Sequence, residues 1–343
     1  MRHLAAFPDH QAAKPAVPSD LVPLSLEGAK LERMSLKDEP DLGFNIIPYR
    51  ELEQATEKFA DHNCVGKGGF ASVFKGTWRG RAVAVKRFQP DKFSAASGYS
   101  SIAQMFREAR LMGHMIHPNL MTLIGHTRSG EAPCLVLPFM PNGSLFARLQ
   151  HRDFSMQKRV HVLIGATQGL GHLHANGNIH RDIKSANILL NESDHAVISD
   201  FGLAWTVGHT GSDSSVKTHV AAGTEVYQAP EVLRGVISKR ADIYAFGVVM
   251  LEVLTSKTPF KTRDRPDIVT WLAKPCADAL AGDELDGFLP FLDDMWKSGS
   301  GPSIACEEIC KLAAASLQAD KEKRPITDVI SVIMLDIVEY SRR

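Results

Sequence analysis

One run of residues limits what this chain can fold into more than any other: Ile179-His180-Arg181-Asp182-Ile183-Lys184-Ser185-Ala186-Asn187-Ile188-Leu189-Leu190. An acid, a lysine and an amide stand at fixed short spacing and lead directly into an apolar, β-forming triplet, so a polar loop must end on a buried strand. These residue types suit phosphoryl transfer, which asks a protein for positioning and charge rather than covalent chemistry. Asp182 can accept a hydroxyl proton and aim the oxygen, Lys184 can stabilise a moving phosphoryl group, and Asn187 can offer its amide oxygen to a hard metal. A similar triplet, His151-Arg152-Asp153, lacks the lysine and asparagine behind it and is set aside. After the turn Asn191-Glu192-Ser193-Asp194, a second short strand, Ala196-Val197-Ile198, predicts a hairpin that returns the chain to Asp200-Phe201-Gly202. Asp200 then stands where it can bridge magnesium and the phosphates of a nucleotide.

A phosphate cradle lies upstream. In Val65-Gly66-Lys67-Gly68-Gly69-Phe70-Ala71-Ser72-Val73 the glycines let a backbone turn press its N–H groups against phosphate oxygens without Cβ clashes. Ala71 stands where a third glycine would, adding one methyl group. A dinucleotide site would need a helix opening at that point and an acid about 20 residues further on. Instead Phe70 to Phe74 reads as a strand, and a second strand delivers Val83-Ala84-Val85-Lys86. Residues two apart share a strand face, so Ala84 and Lys86 point together, a small residue over a flat base and an ammonium reaching phosphates. The helical stretch from Ser101 to Met115 offers Glu108, in Phe106-Arg107-Glu108-Ala109, as the anion that holds Lys86.

Residues 1–45 carry prolines and charges without periodicity and read as an arm that need not fold. A short amphipathic helix is expected from Tyr49 to Phe59. Strands dominate from Cys64 to Met140; after the turn signal Pro141-Asn142-Gly143, helices are expected over Val160 to His174, Ala241 to Leu254, Cys306 to Leu317 and Ile326 to Tyr340. With 343 residues, 44% of them apolar, the chain can bury a large core. Its 39 Lys+Arg balance 39 Asp+Glu, so no overall field draws it to nucleic acid or an anionic membrane. Five cysteines without a CxxC pair suit a reducing, cytoplasmic setting, and the most apolar stretch, Ala245 to Leu254, is too short to span a bilayer. The 14 histidines show no metal-ligand spacing.

Together these motifs resemble the eukaryotic protein kinases over roughly residues 47–341. The resemblance implies an α+β, bilobal fold: an N-lobe over 46–139 with a small antiparallel sheet and one regulatory helix, and a larger, mainly helical C-lobe over 140–341. It implies ATP and Mg2+ as cofactors, with Asp182 and Lys184 catalytic and Asn187 and Asp200 holding the metal. Nucleotide contacts would come from Val65, Gly66, Lys67, Gly68, Gly69, Phe70, Ala71 and Val73 on the glycine loop and from Ala84, Lys86 and Glu108 beyond it. Pro138 and Met140 would form the hinge that holds adenine, with Leu137 at the position before it, and Leu189 would also contact the nucleotide. Gly223-Thr224-Glu225-Val226-Tyr227-Gln228-Ala229-Pro230-Glu231 looks like the peptide-docking loop, Asp242-Ile243-Tyr244-Ala245-Phe246-Gly247 like the buried helix that braces the catalytic loop, and Arg324 like the partner of Glu231.

Lys184 together with Thr224 resembles the serine/threonine branch, implying a protein substrate with a serine or threonine acceptor. The segment from Ile47 to Phe59, then Gly68-Gly69-Phe70 and Met140-Pro141-Asn142-Gly143-Ser144-Leu145, is similar to the interleukin-1-receptor-associated kinase and Pelle family, wording that plant receptor-like kinases share. That likeness implies innate-immune-like signalling beside receptor or adaptor complexes, although the residues before Tyr49 are too few for a death domain and Leu137 replaces the tyrosine typical there. Arg181 resembles the arginine on which a phosphate of the activation segment docks, with Thr218 and Ser215 at the activating positions. A catalytically silent scaffold is the competing reading, and it would be free to lose residues that are all present here: Lys86, Glu108, Asp182, Asn187 and Asp200.

Overall fold

Alternation along the strands decides how the first half of the chain folds. The computed structural model describes residues 44–89, 93–94, 99–127, 132–206, 215–217, 223–282, 287–298 and 301–340. Six strands, β1 (Asn45–Ile46), β2 (Cys64–Lys67), β3 (Ala71–Trp78), β4 (Arg81–Phe88), β5 (Gly125–His126) and β6 (Cys134–Pro138), form one sheet in the order β1-β5-β6-β4-β3-β2. All neighbours are antiparallel except β1 and β5. Side chains on a strand alternate between faces. Val83, Val85, Cys134 and Val136 therefore fill an outer cluster with Ile47 and Leu52, while Phe88, Leu135 and Leu137 enter the main core on the inner face.

The outer face is closed by the segment that precedes the glycine loop. Its helix α1 (Tyr49–Ala55) stops four residues before the expected Phe59. Thr56 explains the early end: its Oγ1 donates back to the Leu52 carbonyl at 2.7 Å and accepts from the Phe59 N–H at 3.1 Å. Such local bonding competes with helix continuation, and Glu57, Lys58 and Phe59 turn left-handed, with φ of 55, 59 and 56°. Phe44 and Asn45, assigned to the arm from sequence, instead join the small lobe; residues 1–43 lie outside the described residues. Helix α2 (Ser101–His114) ends one residue before the expected Met115 and is pinned from inside by Met105, Phe106, Ala109 and Met112.

The larger lobe is helical: α3 (Leu145–Arg148), α4 (Met156–Ala175), α5 (Lys239–Thr255), α6 (Ile268–Trp271), α7 (Ala273–Ala281), α8 (Ile304–Ser316) and α9 (Thr327–Tyr340). Serine side chains start four of these helices, Ser144, Ser155, Ser238 and Ser303 accepting from the backbone N–H of Ala147, Lys158, Ala241 and Cys306. Each such cap contributes about 1 kcal/mol. Every residue of α5 from Asp242 to Thr255 is buried, as expected of a helix apolar on all sides, so it forms the axis of the lobe. Above it run the short pairs that shape the site: β7 (Asn178–Ile179), the hairpin of β8 (Ile188–Leu190) with β9 (Ala196–Ile198), β10 (Trp205–Thr206) against β7, and β11 (Ser215–Lys217) against β12 (Val236–Ser238). Among the described residues no helix is long and apolar enough to cross a membrane.

Candidate active site

Lys86 stands on the inner face of β4, opposite Val73 of β3 on one side and Leu135 of β6 on the other. Apolar neighbours force its ammonium toward whatever anions are within reach. It donates to both Glu108 oxygens, at 3.0 and 2.8 Å, and to Asp200 Oδ1 at 2.8 Å. Burial by itself would lower the Lys86 pKa, but the Asp200 and Glu108 carboxylates outweigh it and hold the ammonium above the ordinary lysine value. The Lys86 charge pulls Asp200 down to about 2, while burial pushes Glu108 up against the opposing pull of Lys86. Strand β4, helix α2 and the end of the β8–β9 hairpin are thereby fastened at one point.

Asp200 reaches Lys86 because its backbone turns left-handed, with φ of 66°, a conformation uncommon outside glycine and one that marks functional strain. Phe201 behind it is fully buried and lies edge-on to His180, with ring centroids 5.4 Å apart. His180 also bonds the Ser199 carbonyl at 3.1 Å, which ties the residues before Asp200 to the catalytic loop.

The second cluster is built around Asp182. Its Oδ2 accepts from Lys184 Nζ at 2.6 Å and from Asn187 Nδ2 at 3.0 Å, while its Oδ1 accepts from the Thr224 N–H at 3.2 Å and from Thr224 Oγ1 at 3.1 Å. Lys184 also donates to Thr224 Oγ1 at 3.0 Å, closing a ring of contacts between the catalytic and docking loops. With both oxygens held, the carboxylate has one orientation. Asp242, at the start of α5, accepts the backbone N–H groups of His180 and Arg181 at 2.8 Å each and meets His174 Nε2 at 2.9 Å. Gly223 has φ of 110°, and a side chain there would strike the Arg181 carbonyl, so the docking loop can press onto the catalytic loop only with glycine at this position.

The donor set suits a hard divalent cation. Asn187 spends its N–H2 on Asp182, through the carbonyl at 2.9 Å and Oδ2, which leaves the amide oxygen as its ligand atom. Asp200 gives one oxygen to Lys86 and keeps its side chain 44% exposed. Two oxygen donors on a site with room for water match what Mg2+ prefers.

The remaining sequence-derived residues lie on the strands, loops and helices of the two lobes. Val65, Gly66 and Lys67 lie on β2 and Ala71 and Val73 on β3; between them Gly68 N–H donates to the Ala71 carbonyl at 2.8 Å, so Gly68, Gly69 and Phe70 make a tight turn. Ala84 pairs with Leu137 across β4 and β6, Pro138 ends β6, Met140 follows it and Leu189 sits in β8. A small pocket opens beside Asp182 and is lined by Ile179, Ile183, Thr224, Tyr227 and Ala229. Arg324, its side chain fully buried, clasps Glu231 with bonds of 2.6 and 2.8 Å. Ser215 is placed by its backbone opposite Ser238; Thr218 lies outside the described residues.

Sequence reasoning missed two arrangements. Glu252 on α5 accepts from Ser185 Oγ at 2.6 Å and from Tyr227 OH at 2.8 Å, linking the catalytic loop to the docking loop. A carboxylate inside an apolar helical run was the available signal, since it must find donors. Trp205 on β10 lies 5.9 Å from the Arg107 guanidinium and 5.8 Å from that of Arg181, which also donates to the Leu203 carbonyl at 3.3 Å. No local pattern marks that contact, because its members come from three separate segments.

Comparison with known proteins agrees with this geometry. The family model described as "Protein kinase domain" matches residues 59–331. The probable serine/threonine-protein kinase PBL21 of Arabidopsis thaliana is 37% identical, over 68% of this chain and 62% of its own length. PBL24 and PBL2 of the same organism, named in the same words, are 36% and 35% identical over 83% and 88% of this chain, and 73% and 70% of their own lengths. The chain thus spans about three fifths of the first of these relatives and more of the other two. The chain belongs to the protein kinase family.

Proposed function

We propose that this chain is a serine/threonine protein kinase that moves the γ-phosphoryl group of Mg·ATP to a protein hydroxyl. The observation that carries the reading is the pairing of two fixed clusters, linked by the bond from His180 to the Ser199 carbonyl next to Asp200: Lys86 bound by Glu108 and Asp200, and Asp182 oriented by Lys184, Asn187 and Thr224. Lys86 would hold the nucleotide phosphates, and Asn187 and Asp200 would hold Mg2+, which supplies charge neutralisation on the phosphates when bound. The acceptor hydroxyl hands its proton to Asp182, its oxygen bonds to the γ-phosphorus, and the bond from that phosphorus to the β-phosphate oxygen breaks to release ADP. Lys184 balances the charge that passes across this line.

The relatives' names, as serine/threonine-protein kinases, support serine or threonine as acceptor, as does the Lys184–Thr224 contact. A putative receptor-like protein kinase, At5g39000 of Arabidopsis thaliana, is 33% identical over 82% of this chain and 32% of its own length. It supports a place in cytoplasmic signalling close to a receptor or its adaptors. Of the two likenesses the sequence carries, the receptor-like name of this relative supports the plant receptor-like kinases rather than the interleukin-1-receptor-associated kinases and Pelle. Phosphorylation of Thr218, with Ser215 second, would raise activity by bringing a charge of about −1.5 to −2 to Arg181. A phosphoamino-acid analysis of a generic protein substrate after incubation with Mg·ATP tests the acceptor: phosphoserine and phosphothreonine are expected, and phosphotyrosine alone would sink the assignment.

A further inference from the structure

Gly113 occupies the last turn of α2, where glycine costs about 0.5–1 kcal/mol relative to alanine. Its missing side chain has a local reason. A Cβ built at Gly113 would strike the tip of the Phe44 ring, clashing with Cζ and Cε2, so the end of the ring rests directly on the helix backbone. Phe44 does not reach there by chance of a loose terminus, because the residues that follow it are fastened to the sheet. Ile47 N–H donates to the His126 carbonyl at 2.8 Å, and Asn45 Nδ2 donates to the Ile124 carbonyl at 3.1 Å. Asn45 and Ile46 pair in parallel with Gly125 and His126, and Ile47, 1% exposed, plugs into the outer cluster with Leu52, Val83, Val85 and Val136. Gly125 is shaped for this approach, since a Cβ there would meet the Asn45 carbonyl oxygen at 2.5 Å and Ile47 Cδ1 at 2.8 Å.

We propose that Phe44 is a positioning residue for the transfer reaction: residues 44–47 form a strap, anchored on β5, that ties the last turn of α2 to the sheet and so keeps Glu108 on Lys86. The proposal rests on the kinase reading above. Glu108 lies five residues before Gly113, about 140° around a helix of 3.6 residues per turn. The ring therefore bears on the flank of α2 that lies beyond Ala109 from Glu108, where it resists a rotation of the helix that would carry Glu108 away from Lys86. Gly113 follows Ala109 by four residues and Phe106 by seven, so the ring sits beside the buried contacts that α2 makes through Met105, Phe106, Ala109 and Met112 and extends them into the last turn. Whatever lifts Phe44 from Gly113 frees the helix that carries Glu108.

The test uses the full chain with Phe44→Ala, Gly113→Leu and the two combined, read by steady-state kinetics and by hydrogen exchange of the α2 amides. Phe44→Ala removes the brace and Gly113→Leu evicts it; each should lower kcat/KM for Mg·ATP about three- to tenfold, tenfold being 1.4 kcal/mol, with KM for the protein substrate unchanged. Exchange of the α2 amides should quicken in both. In the combined variant leucine fills the space the ring left, so both readouts should return toward wild type, and Phe44→Leu should keep most of the activity. Wild-type kinetics and exchange in Phe44→Ala, or losses that simply add in the combined variant, would overturn the strap. A wild-type protein that transfers no phosphate would overturn the kinase reading instead, while the exchange data would still decide whether the strap holds α2.

Discussion

Replacing Glu252 by glutamine should change how stability depends on pH, and the structure sets the size and sign of the change. The Glu252 carboxyl is 1% exposed, on the apolar central helix, with the hydroxyls of Ser185 and Tyr227 as its partners. Burial pushes its pKa up to about 8, the two hydroxyls pulling the other way, against about 4.3 for glutamate in an unfolded chain. A group whose folded pKa is raised stabilises fully below its unfolded pKa and loses that contribution as pH climbs to the folded value. At pH 7 the loss approaches 2.7 pH units at 1.36 kcal/mol each, about 3–4 kcal/mol as an upper figure. Glutamine imitates the protonated acid and does not titrate. Urea unfolding of both proteins from pH 5 to pH 8.5 should therefore show the wild type losing stability relative to Glu252→Gln by about 2–4 kcal/mol, with most of the change before pH 8. A difference that stays constant across that range would show that Glu252 is ionised in the folded protein and would refute the reasoning.

Two further perturbations follow from the same contacts. Arg324→Ala would leave Glu231 without its buried partner, a change that costs about 3–5 kcal/mol, and thermal unfolding should drop by roughly 6 °C or more; an unchanged melting temperature would mean the clasp is dispensable. Trp205→Ala should slow phosphate transfer by about three- to tenfold at saturating Mg·ATP, since two cation–π contacts of about 0.5–1 kcal/mol each join Arg107 to Arg181. Trp205→Phe should retain most of the rate, and equal rates in Trp205→Ala and wild type would show that the tryptophan only fills space.

The residues whose chemistry and spacing are both local were legible in the sequence. Asp182, Lys184 and Asn187 sit within six positions of one another, and the alternation of Val83, Ala84, Val85 and Lys86 already separates an outer face from an inner one. Glu108 could be chosen because a buried lysine needs an anion, and it lies 2.8 Å away as that requirement demands. What escaped the sequence depends on tertiary contact. Thr56 ends α1 early through its own hydroxyl, a competition between side chain and backbone that helical periodicity does not register. Phe44 looked like part of an unstructured arm because its partner, Gly113, lies far along the chain in α2. Trp205 gains meaning only once β10 pairs with β7 and brings Arg181 beside it.

The most direct measurement is phosphate transfer and Mg·ATP affinity for the wild type beside Asp182→Asn and Asp200→Asn. If Asp182 orients the acceptor while Lys86 and Asp200 hold the nucleotide, Asp182→Asn should bind Mg·ATP nearly as well as wild type yet transfer at least about a hundredfold more slowly. Asp200→Asn should lose both transfer and the magnesium dependence of binding. Mass spectra showing equal phosphate incorporation by all three proteins would contradict the account.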